Sequence, residues 1–228
     1  MVALDAVDGE VVWSLRARLP FTGDVTVDHD SAFTLSGSNG GRFRLHRFNP
    51  CSGHNDWEVE LDERPLSGRP PLLTRDAVVV PTVAQEGCGA LGFDRRTGEL
   101  LWEHAPGLIG PTAAWLCVDD CVVANGASGV LLGLSATDGR VRFNHVFSGS
   151  NDADQPRRLE PVLRSGALFV PQQQVHVVRP RDGELLGTLP SDLIPDLIRV
   201  DERCDVYVAE ESGHLAAFGA APRLALVR

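Results

Sequence analysis

The sequence predicts an all-β fold, a β-propeller of four-stranded antiparallel blades with about five blades plus an N-terminal two-stranded hairpin, read as part of a larger propeller. Three observations predict it. A glycine-centred motif recurs at nearly constant spacing, short apolar runs alternate with turn residues every roughly 8 to 12 positions, and no segment sustains a helical period.

The motif comes first. Residues 97–102 read TGELLW, with close copies at 8–13 (DGEVVW), 52–57 (SGHNDW), 138–143 (DGRVRF) and 182–187 (DGELLG). Its glycines, Gly9, Gly53, Gly98, Gly139 and Gly183, are separated by 44, 45, 41 and 44 residues. Four residues past each glycine stand Trp13, Trp57, Trp102 and Phe143, and in the last copy Gly187. Two apolar runs joined by a few residues containing Asp-Gly or Thr-Gly read as a β-hairpin, because glycine accepts the positive φ that such turns demand. A large ring on the outer strand of that hairpin has a structural job, filling the gap that widens between blades away from the axis.

The elements follow in order. The hairpin strand before each turn is the run at 2–4, 43–48, 90–93, 130–134 and 175–178, and the outer strand after it lies at 11–13, 57–61, 100–102, 141–147 and 185–189. Between hairpins, two more runs flank a turn of their own: 25–27 and 32–35, 71–74 and 77–81, 113–118 and 121–124, 161–164 and 167–170, 197–200 and 206–208. Four short strands per unit of about 44 residues make a propeller blade, whose sheet buries its faces against its neighbours. The whole of 1–228 reads as a single domain. The chain opens on two hairpin strands with no inner pair before them, and its last outer strand, 223–228, is poorly marked. Two arrangements fit, a five-bladed ring closed by the N-terminal hairpin or an open array. The open array is favoured, because Met1 abuts a strand with no linker. Such an array exposes strand edges and apolar blade face, so self-association through the terminal blades is expected.

Composition narrows the function. All 21 basic residues are arginine, against 31 acidic ones, for a net charge of -10. With no basic block, nothing in the sequence grips a phosphate backbone, and nucleic acid is excluded as the expected partner. No apolar run is long enough to span a bilayer, and the charged start MVALDAVDGE is not a signal peptide. Five cysteines are too few for a disulfide scaffold. Cys117 and Cys121 read as buried small hydrophobes near the ends of a hairpin, with a cross-turn disulfide as the alternative.

The pattern ALDAVDGEVVW at 3–13, with GFDRRTGELLW at 92–102 as its best second copy, resembles the PQQ-like repeat of quinoprotein-type, BamB-like β-propellers. In that family the tryptophan follows the Thr-Gly or Asp-Gly turn on the outermost strand, whereas WD40 repeats carry a Trp-Asp pair, which is absent here. The resemblance covers nearly the whole chain and fades toward its C-terminus. It implies one of three kinds of function: a calcium- and quinone-dependent dehydrogenase, a non-catalytic assembly scaffold, or a sensor of small ligands. It also points to an extracytoplasmic, periplasmic setting in bacteria.

The parts a dehydrogenase needs are missing from the sequence. The related enzymes carry a vicinal disulfide over the quinone, and this chain has no Cys-Cys pair. Calcium wants six to eight clustered oxygens. Asp152 and Asp154 sit in a stretch lacking the glycine and late glutamate of a calcium loop, Asp28, His29 and Asp30 read as turn formers, and His54, Asn55 and Asp56 occupy one tight turn. The seven histidines show no metal-ligand spacing. Glycine-rich 37–41 leads into a strand and not a helix, so it is no phosphate cradle. Neither a catalytic residue, a metal nor a cofactor is expected. What remains is surface: the loops at 62–70 and 148–158, carrying Arg64, Arg69, Arg157 and Arg158, and Gln173 within the run 172–174. Arginine suits contact patches because its planar fork pairs with carboxylates and stacks on rings. The expected function is thus a non-catalytic scaffold for protein partners.

Overall fold

The computed structural model describes residues 1–38, 40–105, 107, 109–110, 112–147, 160–190 and 192–219. The chain divides into two compact units, Met1–Pro111 with Ser135–Arg140, and Thr112–Leu134 with Val141–Arg228. Among the described residues every regular element is a β-strand.

In the first unit, β1 (Val2–Leu4) and β2 (Val11–Ser14) pair as a hairpin. Strands β3 (Thr26–Asp28), β4 (Ser31–Ser36), β5 (Phe43–Phe48) and β6 (Asn55–Leu61) form a four-stranded antiparallel meander. A second is built from β7 (Leu72–Leu73), β8 (Ala77–Ala84), β9 (Gly87–Asp94) and β10 (Leu100–His104). Asn55 and Asp56, which the sequence assigns to a turn, open β6 instead, because the turn closes at His54. The core lies between the two meanders, where Phe33, Leu35 and Leu45 meet Val78, Val80, Leu91 and Phe93. Strand β4 is buried along its entire length and β8 along all but its last two residues. Covered on both faces, β8 reads as a nearly unbroken apolar run, whereas β4 carries Ser31, Thr34 and Ser36 among its buried residues.

The second unit repeats the design. Strands β11 (Ala114–Val118), β12 (Cys121–Asn125), β13 (Val130–Ser135) and β14 (Val141–Val146) form one meander. Another contains β15 (Val162–Arg164), β16 (Ala167–Pro171), β17 (Val175–Val178) and β18 (Leu185–Leu189), and β19 (Leu197–Val200), β20 (Val206–Ala209) and β21 (Leu215–Phe218) make a three-stranded sheet. Two cores separate the sheets: Cys121, Val123 and Leu131 against Leu168, Val170 and Val178, then Phe169 and Val175 against Ile198, Val206 and Val208. The poorly marked strand at 223–228 lies outside the described residues. Cys117 pairs with Val122 and Cys121 with Val118, so the two thiols point to opposite faces of one sheet, and both are free. Burial pushes their pKa values up, to about 12 for Cys117 and about 11 for Cys121.

The recurring turn has one hydrogen-bond plan. In each copy the glycine N–H donates to the carbonyl four residues back, as from Gly98 to Asp94 at 2.9 Å, and all five glycines hold φ between 69° and 77°. The polar residue before the glycine accepts the amide two positions on: Asp8 from Glu10, Ser52 from His54, Thr97 from Glu99, Asp138 from Arg140 and Asp182 from Glu184. An Asp, Ser or Thr is needed there because its short oxygen can reach its own turn's backbone. Past the turn, each outer strand carries a bulge, so that Trp102 stands opposite Gly92 and Phe143 opposite Gly133.

Candidate functional site

The four rings of the motif share one seat. A methyl carbon built on Gly53 would stand 2.6 Å from the Trp13 ring, one on Gly98 2.9 Å from Trp57, one on Gly139 2.6 Å from Trp102, and one on Gly183 2.4 Å from Phe143. Each aromatic therefore lies on the turn glycine of the following repeat. The indoles also donate to the carbonyl three residues before that glycine: Trp13 to Pro50 at 2.9 Å, Trp57 to Arg95 at 3.3 Å and Trp102 to Ala136 at 2.8 Å. Trp102 and Phe143, both 7% exposed, are each pinned from a second side, since methyl carbons on Gly92 and Gly133 would fall 2.1 and 2.2 Å from their rings. These two cross-strand glycines escape sequence reading, because a bulge decides which residue faces the ring. Gly187, at the fifth ring position, has open space around it.

Buried polar groups form two networks. In the first unit, Ser36 Oγ is 2.7 Å from His46 Nε2, and His46 Nδ1 is 3.4 Å from Glu58 Oε2. The order Ser, His, Glu imitates a catalytic relay. However, Ser36 is 1% exposed, and Phe21 lies edge-on to His46 at 5.7 Å. A nucleophile must meet its substrate, so this network holds three strands together instead. Burial pushes the His46 pKa down, Glu58 pulls it up, and Arg44 pushes it down further. In the second unit, Gln172 Nε2 donates to Asn125 Oδ1 and to the Gly126 carbonyl, and Asn125 Nδ2 donates to the Pro171 carbonyl. Gln172 is 2% exposed, which removes it from the glutamine run that the sequence offers as surface.

The loops are partly anchored. In 62–70, Leu66 N–H donates to the Pro81 carbonyl and the Arg64 carbonyl accepts from Val83 N–H, with Pro65 and Leu66 buried. Arg64 then borders a cleft of about 380 Å³ with Thr22, Leu35, Phe43 and Leu66, while Arg69 lies on the same loop, half-buried. Arg157 and Arg158 lie outside the described residues. In the second unit, Gln173 is exposed and lines a cleft of about 580 Å³ with Val146, Phe147, Gln174, His176, Asp192 and Ile194. Phe147 is stacked on His176 at 3.9 Å and on His145 at 5.8 Å. Phe143 and His145 on β14 and Phe147 just past its end alternate, a period-two signal already present in the sequence.

Arginines also tie turns together. Arg95, three residues before Gly98, donates to Asp28 at 2.7 Å and to the Thr74 carbonyl at 2.8 Å. That hydrogen bond holds the Asp28 carboxyl below the usual carboxylate range, so Asp28 is already engaged. Before Gly183 the same place is Pro180, beside a cleft of about 480 Å³ bordered by Asp119, Asp120, Arg142, Arg179 and Arg181. Arg142 forks onto Asp120 at 3.0 and 2.6 Å, and Arg179 pairs with Asp182 and Glu184. Among the described residues no three His, Cys, Asp or Glu side chains gather as they would around a metal ion.

Four-stranded meanders with such a turn between their last two strands, and with each ring seated on the next glycine, define a β-propeller of the PQQ-like repeat type. The model of the outer membrane protein assembly factor BamB matches residues 1–183 and, in a second alignment, 43–221. The chain belongs to that family. Among solved structures, BamB from Moraxella catarrhalis is similar at 22% identity and a TM-score of 0.68, covering 92% of this chain and 65% of that one. The quinohemoprotein alcohol dehydrogenase ADHIIG from Pseudomonas putida HK5 is similar at 15% identity and a TM-score of 0.57, covering 82% of this chain and 38% of that enzyme. A europium-containing methanol dehydrogenase reaches 14% identity and a TM-score of 0.58, with 83% and 47% covered. The chain thus spans about two thirds or less of the length of these proteins, and at such identities the likeness speaks to the fold. No curated protein matches the sequence.

Proposed function

We propose that this chain is a non-catalytic propeller scaffold that holds protein partners on its loops, working outside the bacterial cytoplasm as a piece of a larger assembly. The observation that carries this reading is the match to the BamB assembly factor across nearly the whole chain. Within each unit, seated rings and buried strands anchor the ends of the loops, which is where binding residues usually sit. No helix of the described residues is long and apolar enough to cross a membrane.

The dehydrogenase-like structures make a quinone enzyme the rival reading. The residues present do not fit a quinone with its calcium ion: the chain has no vicinal cysteines, and no acidic cluster of the required kind occurs among the described residues. The residues best suited to contact a partner are Arg64 and Arg69 in the first unit and Gln173 in the second, together with Arg157 and Arg158. A second association surface is the β1–β2 hairpin, which exposes Leu4 at 60% and Val11 at 63%. Exposed apolar strands of this kind favour self-association.

A photo-crosslinking residue placed at Arg64 or Gln173 in cells tests the scaffold reading. Crosslinks to one protein, lost when the probe sits on an outer-strand site such as Leu101, are the expected result. Absence of any specific crosslink, together with tight quinone binding and dye reduction in the presence of calcium, would overturn it.

A further inference from the structure

The cleft beside β14 differs from the rest of the surface in what it leaves unspent. Val146 closes strand β14 with its side chain 71% exposed, and Phe147 and Ile194 extend that apolar patch inward. Around it stand Gln173, Gln174 and Asp192, whose side chains make no hydrogen bond or ion pair among the described residues. Asp192 is the only charged residue of the lining among the described residues, on a chain whose net charge is -10.

Among the described residues no strand pairs with the backbone beside the patch. β14 is the last strand of its sheet, and the Phe147 N–H already donates inward to the Gly129 carbonyl. Alternation along an antiparallel strand then turns the amide and carbonyl groups of Val146 and Asn144 outward, toward the free edge. An extended segment can add to such an edge through main-chain hydrogen bonds, with alternate side chains read by the neighbouring surface.

We infer that this cleft takes an extended segment of a partner protein that carries a basic side chain beside an apolar one. The strand would pair along Asn144 and Val146 and lay its apolar side chain on Phe147 and Ile194. Its basic group would meet the Asp192 carboxylate, and the glutamine amides would serve its remaining backbone groups. A sugar ring is disfavoured, because Phe147 has His176 on it at 3.9 Å and His145 at 5.8 Å and offers no clear platform. The inference rests on the scaffold reading and names the chemistry of its partner.

The test uses the full chain and two short synthetic peptides, one alternating valine with arginine and one alternating valine with glutamate. Binding is followed by amide chemical shifts and by calorimetry. The valine–arginine peptide should bind and shift resonances of Asn144, Val146 and Gln173, the valine–glutamate peptide should not, and Asp192→Asn should weaken binding by roughly threefold to fivefold, as for one exposed ion pair. Asp192→Arg should reverse the preference between peptides, a gain that misfolding cannot imitate. Equal binding of both peptides, or shifts confined to other loops, would overturn the inference. If the peptides leave the cleft silent while Arg64 still crosslinks to a partner in cells, this inference falls and the scaffold reading stands; if both fail, both fall.

Discussion

Replacing Gly183 with alanine should destabilise the protein more than the same replacement at Gly166, and the difference measures the seat beneath Phe143. Both glycines hold nearly the same backbone, φ of 77° and 75°, and both belong to the second unit. Alanine in that left-handed region costs about 1 to 2 kcal/mol, offset by about 0.4 to 1 kcal/mol from a stiffer unfolded chain, which leaves about 1 kcal/mol at Gly166. A methyl group at Gly166 meets nothing within 4 Å. At Gly183 it would fall 2.4 Å from Cγ and 2.5 Å from Cβ of Phe143, atoms fixed by the β14 backbone that cannot swing aside. Overpacking of this kind adds about 1 to 3 kcal/mol, so Gly183→Ala should cost about 2 to 4 kcal/mol. Urea melts followed by circular dichroism give both values. The double variant Gly183→Ala with Phe143→Ala should cost less than the sum of the two single changes, because the ring that clashes is gone. Equal costs for Gly166→Ala and Gly183→Ala would refute the seating argument.

Other expectations are simpler to check. Trp102→Ala should cost on the order of 3 to 5 kcal/mol in denaturant melts, and a loss below about 1 kcal/mol would mean that the ring carries little packing. Stability should decline as pH falls below the ordinary histidine value of 6.5, because burial lowers the pKa of His46, His104 and His176 and the unfolded chain takes up their protons first; His46→Gln should flatten this slope. If 1–228 is one domain, fluorescence and circular dichroism melts should coincide in a single transition, and two separated transitions would argue for independent units. Leu4→Glu with Val11→Glu should lower the apparent mass in light scattering at high concentration if the β1–β2 hairpin mediates self-association; an unchanged monomer before and after substitution would exclude that surface.

How much was legible depended on how local each feature is in the chain. The turn and its ring were readable because Thr97, Gly98 and Trp102 lie within six residues and act through one hairpin. The seat was not, because Trp102 rests on Gly139, a whole repeat away, and on Gly92, which only a bulge brings opposite. The run at 172–174 looked uniform as sequence, yet Gln172 is buried on Asn125 while Gln173 and Gln174 are exposed. Ser36, His46 and Glu58 come from three strands, and Val146 comes from a strand while Gln173 and Asp192 come from two separate connections, so no spacing announces either group. The pairing of Arg95 with Asp28 spans 67 positions, beyond any motif.

Because every ring rests on the glycine of the repeat that follows it, the dependence between repeats runs one way along the chain. The seat of Trp13 is made 40 residues later, at Gly53, and that of Trp102 is made 37 later, at Gly139. During synthesis each outer strand therefore leaves the ribosome with its aromatic uncovered until about one further repeat has emerged. The same asymmetry constrains how such a chain can lengthen by duplication. A repeat appended at the C-terminal end supplies a seat that its predecessor can use only after acquiring a ring. At Gly187, the fifth ring position, the ring is missing.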